Sequence, residues 1–146
     1  MAAPLLLLVF AVGITGAVAL APDPDLLPGP IPAAVVEVVD GDTLRVRAQV
    51  WIDLELETLV RLRGIDTPEL RGKCEAEKAQ ARAAKDALAR LAADGPVALT
   101  QVEYEKYAGR VLADIAGASG QDLAQAMIAA GHARAYAGGA RQGWCG

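Results

Sequence analysis

A long alternation of apolar and polar residues between Leu44 and Leu62 constrains the fold of this chain more than any other feature. From Leu44 to Val50 the apolar side chains stand at even positions and Arg or Gln stands at odd positions, as in a strand with one buried face. The same phase continues to Leu62 without a Gly or a Pro. A single strand of this length exceeds what a small domain uses, so the chain must bend or turn between about Gln49 and Thr58.

Three further strands and two helices complete the predicted elements. The strands are β-branched or apolar runs over residues 35–39, 97–104 and 111–115. A helix rich in Ala, Lys, Arg and Glu is predicted from Glu75 to Ala93, and a second helix follows the capping-box segment 119–122 and ends at Gly131. Five short strands with one helix after the third and one at the end predict a small antiparallel barrel, whereas a parallel sheet would need more helices.

The first 21 residues differ in composition from the rest of the chain. No charged residue occurs from Met1 to Ala21, and all 14 basic and 18 acidic residues follow this stretch. It is long enough for an export signal and barely long enough to span a bilayer, so residues 1–21 are predicted as a signal peptide, cleaved after Ala19, or as an N-terminal membrane anchor. In both cases the domain is exported, to the periplasm or the extracellular space. The Pro-rich residues 22–33 are predicted as an extended tether, and residues 34–146 as the folded domain.

The only two cysteines are Cys74 and Cys145. An oxidising compartment favours a disulfide between them, and two free thiols are the alternative. A bridge would close a loop of roughly 70 residues and stabilise the fold by about 4 kcal/mol in the chain-entropy model. We therefore expect the C-terminal tail to be tied to the body of the domain.

The scarcity of His, Ser and Cys limits the chemistry that the chain can support. With His132 as the one histidine and Ser119 as the one serine, a His-rich zinc centre is excluded and a Ser-His or Cys-His nucleophile would depend on single candidates. Carboxylates and arginines are abundant instead, which favours hard metal ions, phosphates or general acid and base chemistry. The net charge of −4, taken alone, argues against a nucleic-acid partner.

Three short segments carry residues suited to such chemistry. They are Asp40-Gly41-Asp42-Thr43, Arg61-Leu62-Arg63-Gly64-Ile65-Asp66-Thr67-Pro68-Glu69 and Lys106-Tyr107-Ala108-Gly109-Arg110. In the first, two carboxylates two residues apart can face a hard cation across a Gly turn. Each segment alone is also explained without a function, as a plain turn, a helix entrance with Pro in its first turn and a hairpin connection.

Together, in this order and spacing, the three segments resemble the staphylococcal nuclease-like (thermonuclease) family. The resemblance covers about Val35 to Tyr136 and implies an α+β, mainly β fold: a five-stranded OB-fold barrel with two packed helices. The sequence differs from the best-known member by Ala108, which stands between Tyr107 and Gly109, and by the short segment that follows the second motif.

The resemblance implies a calcium site made of oxygen ligands. Asp42 and Asp66 correspond to Ca²⁺ ligands, with the backbone carbonyl of Thr67 beside them and Asp40 in support. Carboxylate and carbonyl oxygens are the ligands that Ca²⁺ requires.

The resemblance also implies the catalytic residues. Glu69 corresponds to the general base, and Arg61 and Arg110 correspond to two catalytic arginines that stabilise the negative charge of the transition state. The residues expected to contact phosphate or base are Lys106, Tyr107 and Tyr136. For Tyr136 a place in the core is the alternative.

The implied function is that of a secreted, Ca²⁺-dependent nuclease. It would hydrolyse phosphodiester bonds in single-stranded or denatured DNA and RNA by 5′ O–P cleavage, leaving 3′-phosphates. It would act as a monomer without an obligate protein partner, and would contact a membrane only if its N-terminal segment is retained. The alternative is a catalytically inactive OB-fold module that binds nucleic acid or protein. The complete charged set favours the nuclease, because an inactive module would be expected to have lost part of it.

Overall fold

The computed structural model describes residues 21, 23–106 and 109–146. The elements in these parts of the chain are β1 (Leu26–Leu27), β2 (Ile31–Val38), β3 (Thr43–Trp51), β4 (Leu54–Leu62), β5 (Ile65–Asp66), α1 (Glu75–Leu91), β6 (Val97–Tyr104), β7 (Arg110–Ala116), α2 (Leu123–Ala129) and β8 (Arg134–Ala135). The predicted signal peptide or membrane anchor lies outside the described residues, apart from Ala21. Among the described residues, no helix has the length and apolar character needed to cross a membrane.

The long alternation is divided between β3 and β4 by a tight turn at Ile52 and Asp53. Asp53 has a φ of 59°, a left-handed conformation that Asp tolerates better than most residues with a side chain. The two strands pair antiparallel, from Trp51 opposite Leu54 at the turn to Thr43 opposite Arg61 at the far end. The hairpin therefore brings the first and second chemical segments together at the end away from the turn.

Five strands close into a barrel, as predicted from the sequence. β2, β3 and β4 pair antiparallel in order, β6 pairs antiparallel with β2 and β7, and β4 pairs with β7. The β4–β7 pair is parallel, so the prediction of a wholly antiparallel barrel was wrong at this pair. The reason is that β5, α1 and β6 lie between these strands in the chain and return it to the same end before β7 starts.

Part of the predicted tether over residues 22–33 belongs to the sheet. β1 pairs antiparallel with β6, and the first three residues of β2, Ile31 to Ala33, pair with Val97 to Leu99. These residues of the predicted extended tether are extended, and they are also paired in the sheet. Their backbone groups are bonded to the edge of β6, where they complete the sheet.

Helix α1 begins where the disulfide joins the body of the domain. Cys74 has an extended backbone, and its sulfur accepts a hydrogen bond from the Glu77 backbone N–H at 3.4 Å. The same sulfur is bonded to Cys145, with 6.1 Å between the two Cα atoms. The predicted disulfide is confirmed, and the alternative of two free thiols is excluded. The helix continues to Leu91 and buries a stripe of Ala and Leu side chains.

Helix α2 begins one residue after Asp122, whose carboxylate accepts a hydrogen bond from the Gln125 backbone N–H at 3.0 Å. The helix was predicted to follow a capping box over residues 119–122. The predicted capping box was wrong, because Asp122 is the residue that caps the helix and Ser119 lies in the preceding turn.

The core fills the barrel and the space beneath the two helices. Its largest fully buried apolar side chains are Leu44, Val46, Val60, Leu62, Ile65, Leu88, Val97, Leu99, Ile115, Leu123 and Met127. The even-numbered residues of β3 and β4 that lie near the Arg61 end are buried, whereas those near the hairpin turn are exposed. The packed end of the hairpin is thus the end that carries the chemical segments.

Candidate active site

Two of the predicted catalytic residues, Arg61 and Arg110, are placed by neighbouring strands of the barrel. Arg61 is the second-last residue of β4, and Arg110 is the first residue of β7, where it pairs with Leu59 in the parallel ladder. Because Thr43 stands opposite Arg61, the Asp40–Thr43 turn reaches the same edge. The barrel therefore collects residues from the first, second and third segments at one end.

Arg61 is buried, with only 6% of its side chain exposed, and its charge is compensated by protein groups. Nη2 donates to Oδ2 of Asp42 at 3.3 Å and to the backbone carbonyl of Ile65 at 3.0 Å. Its Nε lies 3.8 Å from Oε1 of Glu105. A buried guanidinium held at both Nη2 and Nε is fixed in orientation, as a preorganised charge requires.

Arg110 and Arg61 share the carboxylate of Glu105. Arg110 makes a two-point contact with it, from Nε to Oε2 at 2.6 Å and from Nη2 to Oε1 at 3.1 Å. The Arg110 side chain is more exposed than that of Arg61, at 29%. Glu105 was not identified from the sequence, and its place one residue before the third segment was the only signal. It draws the two arginines to one point.

Asp40 and Asp42 lie close together in the turn before β3. Oδ1 of Asp40 accepts a hydrogen bond from the Asp42 backbone N–H at 3.0 Å, and Oδ1 of Asp42 accepts one from the Thr43 hydroxyl at 2.8 Å. Burial, followed by the negative charge of Asp42, raises the pKa of Asp40 to about 6. Both effects penalise a second negative charge, and a bound cation would relieve that penalty.

Gly41 allows this turn to approach both Thr67 and helix α1. A Cβ atom at Gly41 would lie 2.7 Å from the Cβ of Ala84 and 3.2 Å from the Cβ of Thr67. The close approach places the turn of the first segment directly against Thr67 of the second. It also explains why a residue without a side chain stands between the two aspartates.

Asp66 and Glu69 face the C-terminal tail. The Trp144 indole N–H donates to Oδ2 of Asp66 at 3.1 Å, and Nε of Arg141 lies 3.2 Å from Oδ1 of Asp66. Nη1 of Arg141 also contacts Oε1 of Glu69 at 2.5 Å. Partial burial lowers the pKa of Arg141, but the hydrogen bond to Glu69 and the negative charges around it outweigh burial and raise the pKa above its ordinary value. Asp66 is buried, whereas 56% of the Glu69 side chain is exposed.

The loop that carries Glu69 is held from below by Glu77 of helix α1. The buried Glu77 carboxylate accepts hydrogen bonds from the Glu69 backbone N–H at 3.3 Å and the Lys73 backbone N–H at 2.9 Å. Gly72 packs so closely on this carboxylate that a Cβ would overlap it. A cavity of about 400 Å³ opens between this loop and the tail, and both Asp66 and Glu69 line it. Water can therefore reach Glu69.

The three predicted substrate contacts, Lys106, Tyr107 and Tyr136, differ in where they lie, and their role stays a prediction. Tyr136 lies at the site, with its ring centre 5.9 Å from the Arg61 guanidinium and its hydroxyl donating to the Gly139 carbonyl at 2.7 Å. Lys106 is exposed beside Glu105. Tyr107 lies outside the described residues.

The residues fit a hard cation by their chemistry. Asp66 Oδ1 is buried and has no hydrogen bond of acceptable geometry, although Arg141 lies near it. Asp42 and the Thr67 carbonyl are the further predicted oxygen ligands, but Asp40, Asp42 and Asp66 do not form a group whose ligand atoms all lie within 4.8 Å of one another. In the described part of the chain, one group of three potential ligand side chains has its atoms within 4.8 Å of one another, namely Cys74, Glu77 and Cys145. Its sulfurs are joined in the disulfide, so no thiolate is present there to bind a metal.

The sequence did not identify four residues of the site, namely Arg141, Trp144, Glu77 and Glu105. For the first two a signal existed, because Cys74 lies shortly after Glu69 and a disulfide to Cys145 must bring the tail there.

The geometry defines an OB-fold barrel with arginines and carboxylates gathered at one end. A family model described as staphylococcal nuclease homologue matches residues 59–143. The chain belongs to the staphylococcal nuclease family, which confirms the predicted family and agrees with the barrel fold. The matched span includes Arg61, Asp66, Glu69 and Arg110 and begins after Asp42. A comparison with curated proteins found no match.

Proposed function

We propose that the protein is a secreted, Ca²⁺-dependent nuclease that hydrolyses DNA and RNA by 5′ O–P cleavage, leaving 3′-phosphates. The observation that carries the proposal is the meeting of Arg61 and Arg110 on one carboxylate, beside Asp42. Two guanidinium groups held at one point suit a phosphodiester, because each can donate to two of its oxygens. Family membership supports a nuclease-type domain.

The protein's own groups divide the reaction between them. Glu105 keeps the two guanidinium groups together, and an entering phosphodiester would have to compete with this carboxylate for their N–H donors. As water attacks phosphorus, the bond to the 5′ oxygen breaks and that oxygen leaves with a proton from solvent; the negative charge that grows on the phosphoryl oxygens would be stabilised by Arg61 and Arg110. Glu69 is exposed to the cavity and can accept the proton of the attacking water.

The calcium site would be formed by Asp42, Asp66 and the Thr67 carbonyl, with Asp40 in support. A bound Ca²⁺ would polarise the phosphate and help to activate the water. The chain carries a net charge of −4, so affinity for nucleic acid would come from the local cationic site and not from the whole surface.

Export and a monomeric state are parts of the same proposal. The disulfide supports an oxidising compartment, such as the periplasm or the extracellular space.

Single-stranded or denatured nucleic acid is the proposed substrate, because Tyr136 beside Arg61 could stack on an unpaired base, with Lys106 and Tyr107 as further contacts.

The proposal is tested with the full chain in its oxidised form. Hydrolysis of heat-denatured DNA and RNA is measured with Ca²⁺ or with a chelator, and the product ends are analysed for 3′-phosphates. Chelator-insensitive hydrolysis would reject the calcium mechanism. Tight binding of these substrates without hydrolysis under any condition would support the inactive binding module instead.

Two substitutions test the assigned roles. Glu69→Gln and Arg110→Ala are each expected to lower the rate by roughly 10² to 10³, as when one transition-state donor is removed. The matched controls are Glu57→Gln, whose side chain has a similar exposure of 49%, and Arg45→Ala, whose arginine also pairs with a glutamate. Both controls lie on the outer wall of the barrel and should retain the parent rate. Parent activity in either site variant would reject the role of that residue.

A further inference from the structure

The C-terminal tail is fastened against Asp66 by contacts of three kinds. The disulfide joins Cys145 to the start of helix α1. The Arg134 guanidinium stacks on the Trp144 ring at 3.6 Å, and its Nη1 donates to the Gly143 carbonyl at 3.0 Å. Arg134 is in turn paired with Asp66 through the β5–β8 ladder. The tail and Asp66 are therefore parts of one fastened unit.

The contact from Trp144 leaves the two oxygens of Asp66 in different states. An indole N–H can only donate, and it occupies Oδ2 at 3.1 Å. Oδ1 is buried and lacks a hydrogen bond of acceptable geometry. The indole thus holds Oδ2, and Oδ1, which faces the Arg141 guanidinium at 3.2 Å, is the oxygen that a cation would take, in the way that outer-shell donors orient metal-ligating carboxylates.

We propose that Trp144 is a positioning residue for Asp66, and that the Cys74–Cys145 disulfide holds it in place. This inference rests on the proposed function, in which Asp66 is a cation ligand. Trp144 itself touches neither substrate nor cation. Its effect is to present Asp66 Oδ1 in a fixed orientation, so its loss lowers the affinity for the cation more than the rate at saturating cation.

Arg141 provides a contrast within the same tail. It also lies against Asp66, with Nε 3.2 Å from Oδ1, but it carries a positive charge. A guanidinium at this oxygen competes with a cation, whereas a neutral indole N–H at the other oxygen does not. Removal of the two side chains should therefore change cation affinity in opposite directions, although both removals loosen the tail.

The test is calorimetric titration of Ca²⁺ into the full oxidised chain. Trp144→Phe removes the N–H and keeps a ring for Arg134, and it should weaken binding by roughly 10- to 100-fold, the usual effect of losing an outer-shell partner. Trp51→Phe, at the exposed hairpin turn, is the matched control and should bind like the parent. Arg141→Gln should bind more tightly. The double variant Cys74→Ser/Cys145→Ser should bind more weakly, as should the chemically reduced parent.

Two further measurements separate positioning from folding and from the nuclease proposal. In chelator, Trp144→Phe should melt close to the parent, and at saturating Ca²⁺ its kcat should approach that of the parent. Unchanged Ca²⁺ affinity in Trp144→Phe, or equal weakening in Trp144→Phe and Arg141→Gln, would overturn the inference alone. No Ca²⁺ binding by the parent would overturn both proposals. Weakened binding in Trp144→Phe with a parent that hydrolyses nothing would leave the positioning role and reject only the nuclease.

Discussion

The site has two halves that are held together in different ways. In the barrel half, Asp42 and Arg61 sit on paired strands, and the Arg61 charge is buried. In the tail half, Arg141 and Trp144 reach Asp66 from a segment held by two-residue strands and one disulfide, and 43% of the Arg141 side chain is exposed. We therefore expect the two halves to act differently: the strands hold the charges that are proposed to act on phosphate, and the tail orients the carboxylates beside them.

Arg61→Ala should have the largest effect, because it removes the centre of the barrel half. It would leave Asp42 buried without its guanidinium partner, and breaking a buried pair costs about 3–5 kcal/mol of unfolding free energy. The rate should also fall by roughly 10² to 10³. Denaturant unfolding and hydrolysis assays measure the two effects.

Arg110→Ala provides the comparison within the same half. Because Arg110 is more exposed than Arg61, Arg110→Ala should lower the hydrolysis rate by a similar factor but should reduce the free energy of unfolding by less. Equal destabilisation by the two substitutions would show that burial of Arg61 is not what distinguishes this half of the site.

Loss of the disulfide should have the next largest effect and should act on the tail half. Cys74→Ser/Cys145→Ser opens a loop with a sequence separation of 71 residues and should cost about 4 kcal/mol in the chain-entropy model. Thermal unfolding in chelator measures this loss, and the reduced parent should behave alike. Unlike Arg61→Ala, the variant should recover much of its hydrolysis rate at high Ca²⁺ in conditions where it is folded. A rate that stays low at every Ca²⁺ concentration would remove the distinction between the halves.

The two halves also differ in how far they could be predicted from the sequence. The barrel half follows from local patterns: alternation places Arg61 at the end of a strand, and the Asp40–Thr43 turn lies directly before the strand that pairs with it. The tail half depends on contacts between residues far apart in the chain, since Arg141 is 72 residues from Glu69. The predicted disulfide was the one long-range restraint, and it placed Cys145 without fixing where the neighbouring side chains point. The pairing of β1 with β6 was missed for a similar reason, because two residues give no periodicity to read.

Glu77→Gln should have an intermediate effect on stability. Glu77 lies between the two halves of the site and supports the loop that carries Glu69. Its carboxylate accepts from the backbone of Glu69 and Lys73, and an amide keeps only one acceptor oxygen. A buried group left unsatisfied costs about 1–3 kcal/mol. Urea unfolding measures the loss, and Glu75→Gln, at the exposed start of the same helix, is the matched control. A loss no larger than in the control would mean that the loop after Glu69 is held by the disulfide alone.

Removal of the Glu37–Arg45 ion pair should have the smallest effect on stability. It tests whether the burial of an ion pair, and not ion pairing alone, holds the barrel half together. Its oxygen and nitrogen lie 3.2 Å apart, close to the 3.3 Å between Asp42 and Arg61, and Arg45 is on the strand that begins at Thr43. Both side chains are exposed, so solvent screens the charges and a double-mutant cycle with Glu37→Ala and Arg45→Ala should give a coupling below about 1 kcal/mol, with hydrolysis unchanged. A coupling as large as the loss in Arg61→Ala would mean that ion pairing itself, and not the burial of the pair, holds this edge of the barrel together.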